Sequence, residues 1–364
     1  RSTQGVSSAA SDVYKRQDQG RAVAVWVEIV NGMPRLWMRH HGGTAWSAAR
    51  RLDDGAVLGE SVRMGLFPWQ QARVQRSGGQ ALIAWSSTHD SQGSTVRVRR
   101  LRLSDGLLEA ASTLGSSIAS LERDTYRMPL QLAVNSRGDA MAFWHHLDGT
   151  VRAARYALTT EQWTLWSGPG PNAADYPAFA LDGTGRAWQA VPVDSNGQGQ
   201  EIDVYSLGPA DTRWTPHGFV TAGRLGAHGA PKLVADDAGN AILAWPCGTC
   251  AGANLPMNNA PIHGSRFSAA TQAWSAPQQL DPRAAGSNGF VDMSSFDLRM
   301  NARGDALLSW AYTENVLGNG TGVGLRIHAR QFRSDTLAWG AVTQIAASSP
   351  VSYTHLTLPT ILLV

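Results

Sequence analysis

The chain has 364 residues, 43% of them hydrophobic and 16% charged, with a formal net charge of +3. This near-neutral balance, with no basic block, gives no electrostatic footprint for nucleic acid or an anionic membrane surface. Between residues 18 and 350 no stretch approaches the roughly 18 apolar residues of a membrane span.

In chain order the first informative segment is Ser7–Gln17, reading SSAASDVYKRQ, and the last is Val351–Thr360, reading VSYTHLTLPT. Each resembles an in-frame translation of a transposase adapter used for sequencing libraries, the two in opposite orientation. Residues 1–17 and 351–364 are therefore expected to be non-native and are set aside. Residues 18–350 are then expected to be an internal fragment of a longer reading frame. Removing Arg1, Lys15 and Arg16 from 31 basic residues, and Asp12 from 28 acidic ones, lowers the net charge to +1.

Between these ends one motif recurs: a glycine, then an apolar run ending in tryptophan. It reads Gly20-Arg-Ala-Val-Ala-Val-Trp26, Gly79-Gln-Ala-Leu-Ile-Ala-Trp85 and Gly138-Asp-Ala-Met-Ala-Phe-Trp144. It returns as Gly239-Asn-Ala-Ile-Leu-Ala-Trp245 and Gly304-Asp-Ala-Leu-Leu-Ser-Trp310, and as Gly185-Arg-Ala-Trp-Gln-Ala-Val191, where valine stands for tryptophan. The anchor glycines lie 59, 59, 47, 54 and 65 residues apart, so the insertions belong to loops around a constant core.

Each repeat divides into four short strands. The first, such as Leu130-Gln-Leu-Ala-Val134, leads into a turn such as Asn135–Gly138 or Asp236–Gly239. There Asn or Asp can close the turn through its own side chain, and glycine accepts positive φ. The second strand is the anchor run, whose continuous apolarity predicts burial on both faces. The third alternates, as in Val96-Arg-Val-Arg-Arg-Leu-Arg-Leu103, and fits one solvated face. The fourth opens at tryptophan in five repeats: Trp46, Trp163, Trp214, Trp274 and Trp339. Ten of the 14 tryptophans thus hold repeated positions and are expected in the cores.

Four-stranded units repeated six times predict an all-β, six-bladed β-propeller of antiparallel blades, the first one incomplete. The repeats fall at about 18–60, 61–120, 121–170, 171–222, 223–284 and 285–350. A string of β-sandwiches ranks well behind, because such domains need roughly 100 residues each.

This glycine-to-tryptophan pattern resembles secreted bacterial propeller-repeat proteins and, distantly, the Asp-box repeats of sialidase-like propellers. Asp237-Ala-Gly239 echoes the Asp-x-Gly of an Asp-box, but the tryptophan comes too late and Val234-Ala-Asp236 supplies no Ser or Thr. The resemblance implies a secreted, periplasmic or cell-surface protein. A sialidase would also need an arginine cluster, an acid and a tyrosine nucleophile, and the pattern assigns none of these.

In a four-strand meander the turns joining strands one to two and three to four share one face of the ring. The loops from strand two to three, and from blade to blade, share the other. The second set is longer and richer in reactive side chains, and is the candidate functional face. It carries Glu28, His89, Asp90, His145, His146, Asp148, Asp194 and Glu314 after the anchors. Before the first strands it carries Asp124, Tyr126, Arg127, Asp175, Tyr176, His228 and Asp292. Candidate catalytic carboxylates are Glu28, Asp124, Asp175 and Asp292. Candidate ligand contacts are His89, Asp90, His145, Asp148, Tyr126, Arg127, Tyr176 and His228. Taken singly, each also reads as a strand-ending or turn-solvating residue.

Cys247-Gly-Thr-Cys250 holds the two cysteines. No βαβ unit flanks it, and Ala251 stands where haem attachment needs histidine. A local disulfide in an oxidising compartment is the expectation, with two free thiols as the alternative. Adjacent His145 and His146 would point to opposite faces of a strand and so not chelate one ion. No metal or cofactor is expected. The leading reading is a monomeric, non-catalytic propeller binding a glycan, a cell-surface component or a protein partner. The alternatives are a propeller-type glycoside hydrolase or lyase using the carboxylates above, and a structural module of a larger surface protein.

Overall fold

The computed structural model of the protein describes residues 16–18, 20–31, 33–53, 61–62, 72–77, 79–89, 93–117, 130–145, 151–166, 177–193, 201–220, 231–247, 261–281, 289–291, 296–315 and 323–347. It is a six-bladed β-propeller: six antiparallel sheets in chain order, with no helix among the described residues. Blades one to six span 16–51, 61–117, 130–166, 178–219, 232–279 and 289–347. Each has four strand positions in simple meander order, and in blades two, five and six one position is shared by two short strands. In blade one the first position is held by Arg16–Asp18, with Arg16 opposite Val23 and Asp18 opposite Arg21. Two of these three residues belong to the segment that resembles adapter sequence.

The second strands carry the core on both faces because their side chains alternate between neighbouring blades. Trp85 faces back onto Val23 and Val25 of blade one, while Leu82 and Ala84 face forward onto Leu130 and Leu132 of blade three. The same alternation repeats through blade six, giving five apolar clusters, each between consecutive blades. Trp85, Trp144, Trp245 and Trp310 are at most 4% exposed. Trp26 is only half-buried and belongs to none of the five clusters. Among the described residues none of the five clusters joins blade six to blade one.

Blade four departs from the anchor pattern in a compensated way. Val191 takes the tryptophan position, and the indole moves to Trp188 on the forward face, fully buried with its ring 4.5 Å from that of Phe267. Among the fourth-strand tryptophans, Trp163, Trp214, Trp274 and Trp339 are half-buried. Trp46 is not a core residue: it is 42% exposed and rests edge-on against His41. Repeat one has a short fourth strand, Arg50–Arg51, which begins beyond this indole.

The third-strand arginines are not simply solvated. Arg99 donates to Leu52 O of blade one at 2.9 Å, and Arg330 to Leu280 O of blade five at 3.0 Å. Arg155 reaches Gly185 O of blade four at 2.7 Å. Arg100 is held by three groups: the carboxylates of Glu109 in its own blade and Glu161 in blade three, and Tyr156 Oη of blade three at 3.0 Å. Hydrogen bonds donated to Glu161 and then Glu109 raise the guanidinium above its ordinary pKa, so it stays charged throughout. Charge-assisted bonds of this kind give direction to blade packing that apolar contacts alone do not.

Candidate functional site

The turns between first and second strands converge on one face of the ring and are locked by a repeated side-chain pair. In blade three Asn135 Oδ1 accepts from Asp139 N at 3.0 Å, and Asn135 Nδ2 donates to Asp139 Oδ2. Blade six repeats this with Asn301 and Asp305, and blade five reverses the pair as Asp236 and Asn240, joined at 2.7 Å. The second member also binds the turn between strands three and four. Asp139 accepts from Leu158 N, Asn240 from Ala269 N, and Asp305 from both Ser334 N and Ser334 Oγ. The bonds from Ser334 and Asn301 hold the Asp305 carboxyl down at about 2.

These turns are also bonded to one another around the axis. Asn135 Nδ2 donates to Asp182 O, Gly183 N to Asp236 O, and Asp237 N to Ala302 O, each at 3.0 Å. Ser136 Oγ reaches the Asp237 carboxylate at 2.6 Å, spanning from blade three to blade five past blade four. Gly183 is what permits this approach, because an added Cβ would lie 2.4 Å from Asp237 Cα. Between blades three and five this face is therefore closed to hydrogen-bond distance.

The candidate residues lie toward the opposite face wherever they are described. Glu28 is exposed near the end of Arg21–Val30, in register with Arg35. His89 ends Gln80–His89, His145 ends Ala140–His145, and Glu314 is the penultimate residue of Ala306–Asn315. Asp90, Asp124, Tyr126, Arg127, His146, Asp148, Asp175, Tyr176, Asp194, His228 and Asp292 lie outside the described residues. Among the described residues no group of three His, Cys, Asp or Glu could hold a metal ion. Cys247 is fully buried and disulfide-bonded, and Cys250 lies outside the described residues.

One open cavity of about 250 Å³ lies elsewhere, at the outer rim between blades five and six. Its walls include Arg266, Trp274, Ser275 and Gln278 of blade five with Phe332 and Leu337 of blade six. The Arg266 guanidinium lies 6.0 Å from the Phe332 ring centroid. None of these residues is among the sequence-based candidates. The signal available in sequence was positional, and it requires the register of the third strands.

No protein-family model and no curated protein matches the chain. Among solved structures it is similar to a polysaccharide lyase of family PL25, an ulvan lyase, with TM-score 0.52 and 11% identity over 92% of this chain and 83% of that one. It is also similar to the fucose-specific lectin of Aleuria aurantia, with TM-score 0.45 and 12% identity over 93% and 95% of the two chains. A prolyl endopeptidase gives TM-score 0.48 and 10% identity over 93% of this chain, which spans only half of that protein. No helix among the described residues is long and apolar enough to cross a membrane. At these identities the likeness shows the fold alone, and that fold is the β-propeller.

Proposed function

We propose that the protein is a non-catalytic, extracytoplasmic propeller that binds a glycan or a glycosylated surface partner through the loop face. The observation that carries this reading is the bonded turn face. With the axis closed between blades three and five on that side, the loop face is where variable side chains are free to meet a ligand. The disulfide of Cys247 fits an oxidising compartment. The lectin and lyase folds show that propellers of this size serve glycans in other proteins.

A glycan array probed with the whole chain tests the reading. Tyr126→Ala, Tyr176→Ala and His228→Ala should each lower the captured signal at least about fivefold, as expected on losing a contact worth ~1 kcal/mol, with unchanged melting temperature. New reducing or unsaturated chain ends on incubation with polysaccharides, abolished by Asp124→Asn, Asp175→Asn or Asp292→Asn, would overturn it in favour of a hydrolase or lyase.

A further inference from the structure

The five described clefts between consecutive blades share one third-strand position, opposite the third residue after the anchor glycine. It is His40, Arg100, Arg155, Ser206 and Arg266 in blades one to five, opposite Val23, Leu82, Met141, Trp188 and Ile242. Each side chain faces the following blade, and in four clefts it is bonded. His40 Nε2 meets Leu103 O, Arg100 has Glu109, Glu161 and Tyr156, Arg155 has Gly185 O, and Ser206 Oγ meets His217 Nε2. The Arg266 guanidinium has no hydrogen bond or ion pair among the described residues and faces the 250 Å³ cavity.

The two arginine clefts can be matched residue by residue. Glu109 N donates to Arg100 O, and Ser275 N donates to Arg266 O, so Ser275 stands where Glu109 does. Tyr156 is opposite Ala140 and Phe332 is opposite Ala306, both two residues after the anchor glycine. Glu161 and Leu337 are the left-handed residues of the strand three-to-four turns, with φ of 55° and 53°. All three partners of Arg100 are thus replaced by groups that cannot bind a guanidinium strongly, and all three replacements line the cavity. Leu337 is a poor choice for stability: it is 59% exposed and left-handed, where blade two has Gly106.

We propose that the cleft between blades five and six binds a carboxylate-bearing sugar unit of hexuronate size, whose carboxylate takes the place on Arg266 that Glu109 and Glu161 take on Arg100. The planar guanidinium suits a two-oxygen acceptor. Gln278 offers an amide for sugar hydroxyls. The volume falls just below that of drug-sized pockets, which fits one sugar residue. Among the five described clefts this is the one where the side chain at that position is left without a hydrogen bond or ion pair, so one such site is expected among them. This site is separate from the loop face and does not depend on it.

Titration calorimetry of the whole chain with glucuronate, glucose and a short glutamate-rich peptide tests the proposal. One equivalent of glucuronate should bind, with glucose weaker by about 10-fold or more, the usual worth of a charge-assisted pair. Arg266→Gln should remove that preference. Ser275→Glu combined with Leu337→Glu should rebuild the filled cleft and abolish binding while the melting temperature holds or rises. Leu337→Gly should relieve the left-handed strain, raising the melting temperature, yet weaken glucuronate binding; it keeps the test open if the double variant does not fold. Equal affinity for glucose, indifference to Arg266→Gln, tighter binding of the peptide, or no binding of any ligand would overturn the proposal. Loss of the glucuronate preference in Arg266→Gln while loop-face capture on the glycan array persists separates this site from the loop-face reading.

Discussion

Gly183 sits where the turn of blade four passes under Asp237, and its hydrogen is all that fits there. Gly183→Ala forces backbone apart and should cost about 1–3 kcal/mol, the usual penalty of overpacking, read as a lower urea midpoint. Gly79 is the contrasting case: φ is +82° and nothing lies within 4 Å of an added Cβ. Gly79→Asn should therefore cost about 1 kcal/mol or less, because asparagine tolerates the left-handed region. A smaller loss at Gly183 than at Gly79 would refute the close approach. Asp305 supplies a pH-dependent counterpart. Its carboxyl titrates at about 2 in the folded chain, below its ordinary 3.8. Its contribution is fully present above the ordinary value and is lost as pH falls through about 2. Asp305→Asn keeps an oxygen for Ser334 but does not titrate. The fall in melting temperature between about pH 4 and pH 2 should be shallower in that variant.

The second strands were the most legible elements, because an apolar run with one fixed glycine encodes a strand buried on both faces. Direction along the ring was not legible: only the register shows that the anchor tryptophan faces the preceding blade. Trp26 and Trp245 differ despite identical sequence placement. Trp245 is fully buried between blades four and five, and Trp245→Ala should cost about 3–5 kcal/mol. Trp26 is half-buried, and Trp26→Ala should cost about half as much or less. Equal losses in denaturant titrations would show that blade one is as tightly covered as blade five. The third strands misled in a specific way. Alternating arginines read as a solvated face, yet Arg99, Arg100, Arg155 and Arg330 reach carbonyls or carboxylates of the adjacent blade. Alternation reports which side chains share a face, not whether a long one folds back across a cleft.

At the scale of the whole molecule, six blades follow from six anchors, since a four-stranded sheet buries both faces only by stacking on neighbours. The Asn/Asp pairs that lock the turns were half legible. Their first members, such as Asn135 and Asp236, read as turn residues. Their partners Asp139 and Asn240 looked like ordinary strand starts, because the bond that uses them comes from the turn between strands three and four. The cavity at Arg266 was not legible for a related reason. It is defined by what Ser275, Phe332 and Leu337 fail to supply, and that contrast appears only when two blades are superposed by register.

The bonded turns have one further effect. Anchor spacing varies from 47 to 65 residues, while the turn that precedes each anchor in blades three to six keeps its four residues. Lengthening a loop is cheap, roughly 0.6 kcal/mol for each doubling, whereas lengthening one of these turns would break bonds to neighbouring blades. Blades tied to a common base at one end can change size only at the other. The ring is in effect a fixed die with a free rim, and differences between its blades accumulate where a ligand would meet them.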